Sequence, residues 1–283
     1  MRNLPRIVNK VHREPWMIRP DTLHTFAGML EQRLSVRADV TDMGDDDECD
    51  DDERVKEIGS SVVIKVFGVI GKHLSGLEMQ CGGCSVDAVC DALEDADEDQ
   101  NCGRIYLWFN SPGGTVAGIQ EAGALIADIA TRKEVVALID NECCSAAYWM
   151  ASQCTTIVCT PSATIGSIGV YCLLLDQSKQ LEEAGIKVNA ISAGEYKLAG
   201  ASFRPLSDIE RKMFQDSVDK TYSIFKAAVS DGRAGAVADE TMQGWCYDGE
   251  EAVQKGLADE VVMSIGCYVM DQVDERNLGN ELV

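Results

Sequence analysis

Short blocks of branched apolar residues alternate along this chain with longer amphipathic stretches. The blocks predict strands at 60–67, 104–109, 134–139, 155–160 and 186–192. Between them, apolar residues that recur every three or four positions predict helices at 114–132, 144–153, 175–185 and 206–231. Residues 248–262 predict a further helix that leads into a final strand. This alternation of strands and helices predicts an α/β layered domain with parallel strands.

The same pattern divides the chain into four parts. Apolar residues at helical spacing predict a helical N-terminal lead-in over residues 1–42. An acidic linker is expected at 43–58, the main domain at 59–265 and a C-terminal tail at 266–283.

Charge narrows the classes of partner. The formal net charge is −22, with 47 acidic residues against 25 basic ones, which argues against nucleic acid as a partner. Eight of the nine residues in 45–53 are acidic, which is typical of solvated, self-repelling chain. A calcium loop would need alternating ligands and a central glycine, and these are missing, so no metal site is predicted.

The twelve cysteines are spread through apolar stretches. The N-terminus lacks the apolar core of a signal peptide, and no apolar run approaches the roughly 18 residues that span a bilayer. We therefore expect a soluble cytoplasmic protein whose cysteines are mostly reduced and buried. A zinc or redox site at "CGGC", residues 81–84, is an alternative that the irregular spacing disfavours, and no cofactor is expected.

Candidate chemistry begins at "NSPGGTVAG", residues 110–118, where a predicted strand passes through a turn into a helix. Such a turn leaves backbone N–H groups free, which suits an oxyanion. A glycine-rich turn without a ligand would look the same. Neither a dinucleotide fingerprint nor a P-loop is present.

Ser145 lies in "NECCSAAYWMA", residues 141–151, at the start of a predicted helix that follows a strand. This position would expose its hydroxyl as a nucleophile and offer the N–H of Ala146 to an oxyanion. Considered alone, Ser145 would more often be a helix N-cap.

A serine nucleophile needs a base. The chain has three histidines, none of them after Ser145, and His73 is the one near a predicted strand of the main domain. The alternative is Lys197 in "SAGEYKLAGASFRPL", because a lysine in apolar surroundings can be neutral and accept a proton. Spacing alone favours a solvated loop lysine at this position.

Four motifs in order, "NSPGG", "CSAAYW", "TIGSIGV" and "EYKLAGASFRPLSDIER", resemble the signal peptide peptidase family of Ser–Lys serine peptidases. The similarity covers roughly residues 60–263. The opening "RNLPRIVNKVHREPWMIRP" resembles the prohead protease branch of lambda-like phages. Two departures from the family are Asn110, where the turn usually begins with Asp, and the missing membrane-spanning N-terminus of bacterial signal peptide peptidases.

The resemblance implies a Clp-protease/crotonase fold of stacked β-α-β units and protomers that assemble into a homo-oligomeric ring. Ser145 would be the nucleophile, Lys197 the general base and Ser167 the group that orients the lysine amine. The oxyanion and substrate site would comprise Gly113, Gly114 and Ala146. The implied activity is endopeptidase processing of capsid, portal or scaffold proteins in the host cytoplasm or inside the prohead.

Three alternatives remain open at this stage. One is degradation of peptides in a bacterial cytoplasm, and another is a structural head protein without activity. The third is a crotonase-like acyl-CoA enzyme, for which Glu121 and Glu142 are the available carboxylates.

Overall fold

A computed structural model describes residues 15–37 and 54–281 of the chain. The predicted α/β architecture is confirmed. The strands are β1 (Trp16–Ile18), β2 (Val55–Ile58), β3 (Ser61–Phe67), β4 (Val69–Gly71), β5 (Gly83–Ser85), β6 (Arg104–Ser111), β7 (Gly113–Thr115), β8 (Glu134–Cys144), β9 (Thr156–Cys159), β10 (Thr164–Gly166), β11 (Cys246–Tyr247) and β12 (Glu260–Val261). The helices are α1 (Pro20–Arg37), α2 (Gly76–Gln80), α3 (Val86–Glu98), α4 (Ile119–Ile129), α5 (Ala146–Ala151), α6 (Ser178–Glu183), α7 (Asp208–Gly232), α8 (Gly249–Gln254) and α9 (Ile265–Glu281).

The strands of the described residues form two sheets. The larger runs in the order β11-β10-β8-β6-β3-β2, with β9 and β12 branching from the N-terminal half of β8. Its strands are parallel except β2 and β11, which pair antiparallel. The smaller sheet has the order β1-β7-β4-β5, and only β1 is antiparallel to its neighbour. Strands β6 and β8 are parallel neighbours, with Ser111 opposite Cys143, so their carboxyl ends lie side by side. β7 of the smaller sheet follows β6 directly, and α5 follows β8.

Apolar layers cover both faces of the larger sheet. On one face, α3, α4, α5 and α7 pack over the strands, and the rings of Trp149 and Phe225 stack with centroids 4.9 Å apart. On the other, Ile265 and Val269 of α9 cover Tyr106 and neighbouring residues. The strands therefore lie between helices on both sides, which is why their sequences are continuously apolar rather than alternating.

Four elements differ from the sequence prediction. The strand predicted at 186–192 is not formed, since these residues are exposed and pair with no strand in the described chain. The expected tail is the helix α9, and a strand, β1, precedes the lead-in helix α1. Within the expected acidic linker, residues 43–53 lie outside the described residues and Val55–Ile58 form β2.

The helix start predicted at Ser207 is confirmed. The capping box that opens α7 has Ser207 accepting from the N–H of Glu210 while the Glu210 carboxylate accepts from Ser207 N–H. None of the helices in the described ranges is both long and apolar enough to cross a membrane.

Candidate active site

Ser145 stands between β8 and α5 in a strained backbone conformation. Its φ is +56° and its ψ −116°, a region that non-glycine residues rarely adopt. Its backbone N–H donates to the Gly166 carbonyl of β10 at 2.8 Å. Its Oγ lies 3.5 Å from the Gly169 carbonyl oxygen and makes no capping bond to α5. Ser145 thus occupies the N-cap position of α5 without capping the helix through its side chain. Strain of this kind is typical of functional positions.

The glycine turn lies directly against Ser145. Gly113 has φ +106°, and a Cβ on it would meet the Met17 carbonyl oxygen at 2.2 Å and both the Cys144 carbonyl oxygen and Ser145 Cβ at 2.9 Å. A Cβ on Gly114 would meet the Ile70 carbonyl oxygen at 1.9 Å. Both positions require glycine, because backbone carbonyl oxygens of β1, β4 and β8 lie where a Cβ would stand.

Hydrogen-bond donors are concentrated at this point. The N–H of Ala146 belongs to the first turn of α5, where no acceptor exists within the helix. The N–H of Gly113 donates to Ser111 Oγ at 3.2 Å, and Ser111 in turn donates to the Gly68 carbonyl at 2.7 Å. The Ser111 hydroxyl therefore links the turn to Gly68 and to the N–H of Gly113.

Ser167 follows Gly166, the residue that accepts from Ser145. It also has a positive φ, +53°, and its hydroxyl contributes to lowering the pKa of the Cys246 thiol. Ser167 lines a groove of about 370 Å³ that continues past Gly169 to Tyr222. The structure therefore brings Ser145, Ser167 and the glycine turn together.

A cysteine pair lies beneath these serines. Cys144 Sγ and Cys246 Sγ are 3.8 Å apart, on either side of Gly166. The hydrogen bond from Cys144 and, more weakly, the charge of Arg19 lower the pKa of Cys246 to about 7, against the effect of burial. The hydrogen bond with Cys246, together with burial, raises the pKa of Cys144.

Lys197 is not brought to Ser145 in the structure of the single chain. It lies in an exposed segment, and its backbone N–H donates to the Gly194 carbonyl at 3.2 Å. Residues 182–197 are all exposed, including Ile191, which is fully so, and Val188. Among the described residues, this segment contributes nothing to the buried apolar clusters.

The alternative bases are placed elsewhere. His73 is largely exposed, with its Nδ1 3.0 Å from Asp87. Glu121 is exposed on α4, whereas Glu142 is half-buried and accepts from Arg19 at 3.2 Å. Burial raises the pKa of Glu142, and Arg19 opposes that change.

Strand β1, which the sequence analysis missed, lies across the site. Met17 is opposite Gly114 and Ile18 opposite Gly113, and all three residues of β1 are buried. On its other edge Trp16 exchanges both backbone hydrogen bonds with Tyr171, at 2.8 and 3.1 Å. An apolar trio between two prolines, "PWMIRP", was the available sequence signal.

The chain is similar in sequence to known peptidases. The model of Peptidase family S49 matches residues 127–268, half of the chain, a range that includes Ser145, Ser167 and Lys197. Capsid assembly protease C of Escherichia phage lambda is 28% identical over 98% of this chain and 67% of its own length.

Two further relatives share a shorter part of their length. The head-tail preconnector protein GP5 of Enterobacteria phage P21 is 28% identical over 72% of this chain, which spans 41% of it. Protease 4 of Salmonella typhi is 30% identical over 70% of this chain, which spans 32% of it. A solved enoyl-CoA hydratase/isomerase family protein from Silicibacter pomeroyi has a TM-score of 0.43 at 13% identity, over 77% of this chain and 79% of its own. The chain therefore belongs to Peptidase family S49, the signal peptide peptidase family of serine peptidases that its four sequence motifs resemble.

Proposed function

We propose that this chain is a serine endopeptidase with a Ser–Lys dyad that processes phage head proteins. The observation that carries the proposal is Ser145, a strained serine at a helix start, pressed against a turn in which only glycine fits. Ser145 is the nucleophile, Lys197 the general base, and the N–H groups of Gly114 and Ala146 are the oxyanion donors.

The chemistry follows from these positions. Lys197 as a neutral amine takes the proton of Ser145 Oγ, which attacks the substrate carbonyl carbon. The negative charge on the carbonyl oxygen is held by the two N–H donors, and the lysine proton passes to the leaving amine. Water then hydrolyses the acyl-enzyme by the same route. Ser167 holds the lysine amine in this proposal, which is supported by its position directly after Gly166, the residue whose carbonyl accepts from Ser145 N–H.

Lys197 must move or be covered before it can act in this way. A lysine becomes a base when apolar surroundings remove the water around it, and Lys197 is exposed in the single chain. The exposed apolar residues of its segment, among them Ile186 and Ile191, are typical of a surface that another protein covers. A homo-oligomeric ring, in which this segment packs on a neighbouring copy, supplies those surroundings.

The substrate class rests on relatives. Two of them are named as a capsid assembly protease and a head-tail preconnector protein of phages. We therefore assign capsid, portal or scaffold proteins as substrates, in the host cytoplasm or the prohead interior. The net charge of −22 also favours protein over nucleic acid as the partner in that compartment.

The test of the nucleophile is intact-mass spectrometry after a fluorophosphonate probe. A single adduct is expected on the wild-type oligomer and none on Ser145→Ala or Lys197→Ala. Ser162→Ala and Lys56→Ala, exposed residues outside both the site and the segment of Lys197, are matched controls that should label normally. Labelling of Lys197→Ala at the wild-type rate would refute the dyad.

The origin of the lysine is tested by mixing subunits. Ser145→Ala and Lys197→Ala are unfolded together and reassembled, so that mixed oligomers form. Recovery of part of the wild-type activity means that the dyad joins two copies, whereas no recovery means that each chain uses its own lysine. Reassembled single variants provide the background.

A further inference from the structure

The antiparallel ladder between β1 and β7 directs a carbonyl of the chain at the proposed oxyanion site. Arg19 N–H donates to the Pro112 carbonyl at 3.1 Å. Hydrogen-bonded pairs alternate in an antiparallel ladder, so the next such pair is Met17 with Gly114. The carbonyl of Met17 therefore accepts from Gly114 N–H, one of the two donors assigned to the oxyanion.

The same carbonyl lies beside the nucleophile. One point in space, where Gly113 would carry a Cβ, is 2.2 Å from the Met17 carbonyl oxygen and 2.9 Å from Ser145 Cβ. Ser145 is only 1% exposed while β1 is in place. An extended peptide that entered the site would need the same place between Gly114 and Tyr171.

Side chains on both sides of the bond after Met17 are held by the cleft. The Met17 side chain is fully buried in the main apolar core. Beyond the bond, the Arg19 guanidinium donates to the half-buried Glu142 at 3.2 Å, and Arg19 N–H is fixed by Pro112. Residues 16–19 are therefore held by backbone hydrogen bonds and by side-chain contacts, as a bound peptide would be.

We propose that Met17–Ile18 is a self-cleavage site, with residues 16–19 lying in the substrate cleft as an intramolecular substrate. This inference rests on the proposed peptidase function. Ser145 Oγ attacks the Met17 carbonyl carbon, its proton passes through the base to the Ile18 nitrogen, and the C–N bond breaks. Water then hydrolyses the Ser145 ester, leaving a carboxylate on Met17 and a free amine on Ile18. Removal of the strand opens the cleft to other proteins.

The cut also defines the kind of sequence that the cleft accepts. The residue before the bond is an unbranched apolar side chain in a closed pocket, and the second residue after it is an arginine that meets Glu142. Substrates with this pattern are expected to be cut in preference to those with an acidic residue in place of the arginine.

The test is intact-mass spectrometry and N-terminal sequencing of the purified full chain over time, beside the fluorophosphonate probe. Wild type should acquire the N-terminus Ile18 and become labelled as it does so. Ser145→Ala should remain uncut. Met17→Arg should remain uncut yet accept the probe, because the charged side chain expels the strand. Met29→Arg, the same change at an exposed methionine of α1, should behave as wild type.

The outcomes separate the two proposals. Wild type that is labelled fully while uncut, or that is cut elsewhere, overturns self-cleavage at this bond and leaves the peptidase intact. Absence of both labelling and cutting overturns the peptidase proposal and self-cleavage with it. If Met17→Arg does not fold, Met17→Gln provides the same test, with cutting expected to be at least about tenfold slower because the amide has no partner in the pocket.

Discussion

Gly113→Ala is the most informative single substitution at the site. The new Cβ would lie 2.2 Å from the Met17 carbonyl oxygen and 2.9 Å from Ser145 Cβ, both well inside van der Waals contact. The φ of +106° adds backbone strain of about 1–3 kcal/mol for any residue with a side chain. Strand β1 or the serine must therefore move. A shift of about 1 Å in the nucleophile typically costs roughly 10²-fold in rate.

The assay has two readouts and a matched control. Fluorophosphonate labelling rate reports the nucleophile, and urea unfolding reports the free energy of unfolding. Gly82→Ala has the same kind of strain, at φ +89°, but its Cβ meets nothing within 4 Å. It should lose a similar part of the stability and label normally. Gly113→Ala that labels within threefold of wild type would show that the close approach of the turn to Ser145 has no catalytic role.

Three further predictions concern Cys246, Glu210 and Phe225. Alkylation of Cys246 by iodoacetamide should accelerate as the pH rises through about 7, its lowered pKa. It should abolish labelling because Cys246 lies opposite Gly166, whose carbonyl holds Ser145 N–H. The hydrogen bond from Arg204 holds the pKa of Glu210 at about 2, below its usual 4.5, so its contribution to stability is present above pH 4.5 and disappears towards pH 2. The unfolding free energies of wild type and Glu210→Gln should therefore converge as the pH falls over this range. Phe225→Ala should destabilise by about 3–5 kcal/mol in urea unfolding, because the ring is fully buried.

Each of these has its own control. Cys267 is exposed, and its alkylation should leave labelling unchanged. A difference between wild type and Glu210→Gln that stays constant down to pH 2 would contradict the assigned cause. Met213→Ala, on the same helix as Phe225 but 39% exposed, should change stability by less than about 1 kcal/mol.

Local sequence determined the elements of the main domain. The apolar blocks at 104–109 and 134–139 lie within β6 and β8, and Ser207 with Glu210 begins α7 as a capping box. These features depend on residues a few positions apart, which is why they could be predicted from spacing. The four motifs likewise single out Ser145, Ser167 and the glycine turn, which the structure brings together.

Only the tertiary structure decided how distant segments meet at Ser145. The strain at Ser145 arises because its N–H is bound by Gly166 while Gly113 presses on its Cβ, contacts between residues far apart in sequence. The strand predicted at 186–192 failed for the converse reason: a strand needs a neighbour, and no described strand lies beside it. The strand β1 around Met17 depends on tertiary structure in the same way. Its three apolar residues form a strand because β7 pairs with one edge and Tyr171 with the other.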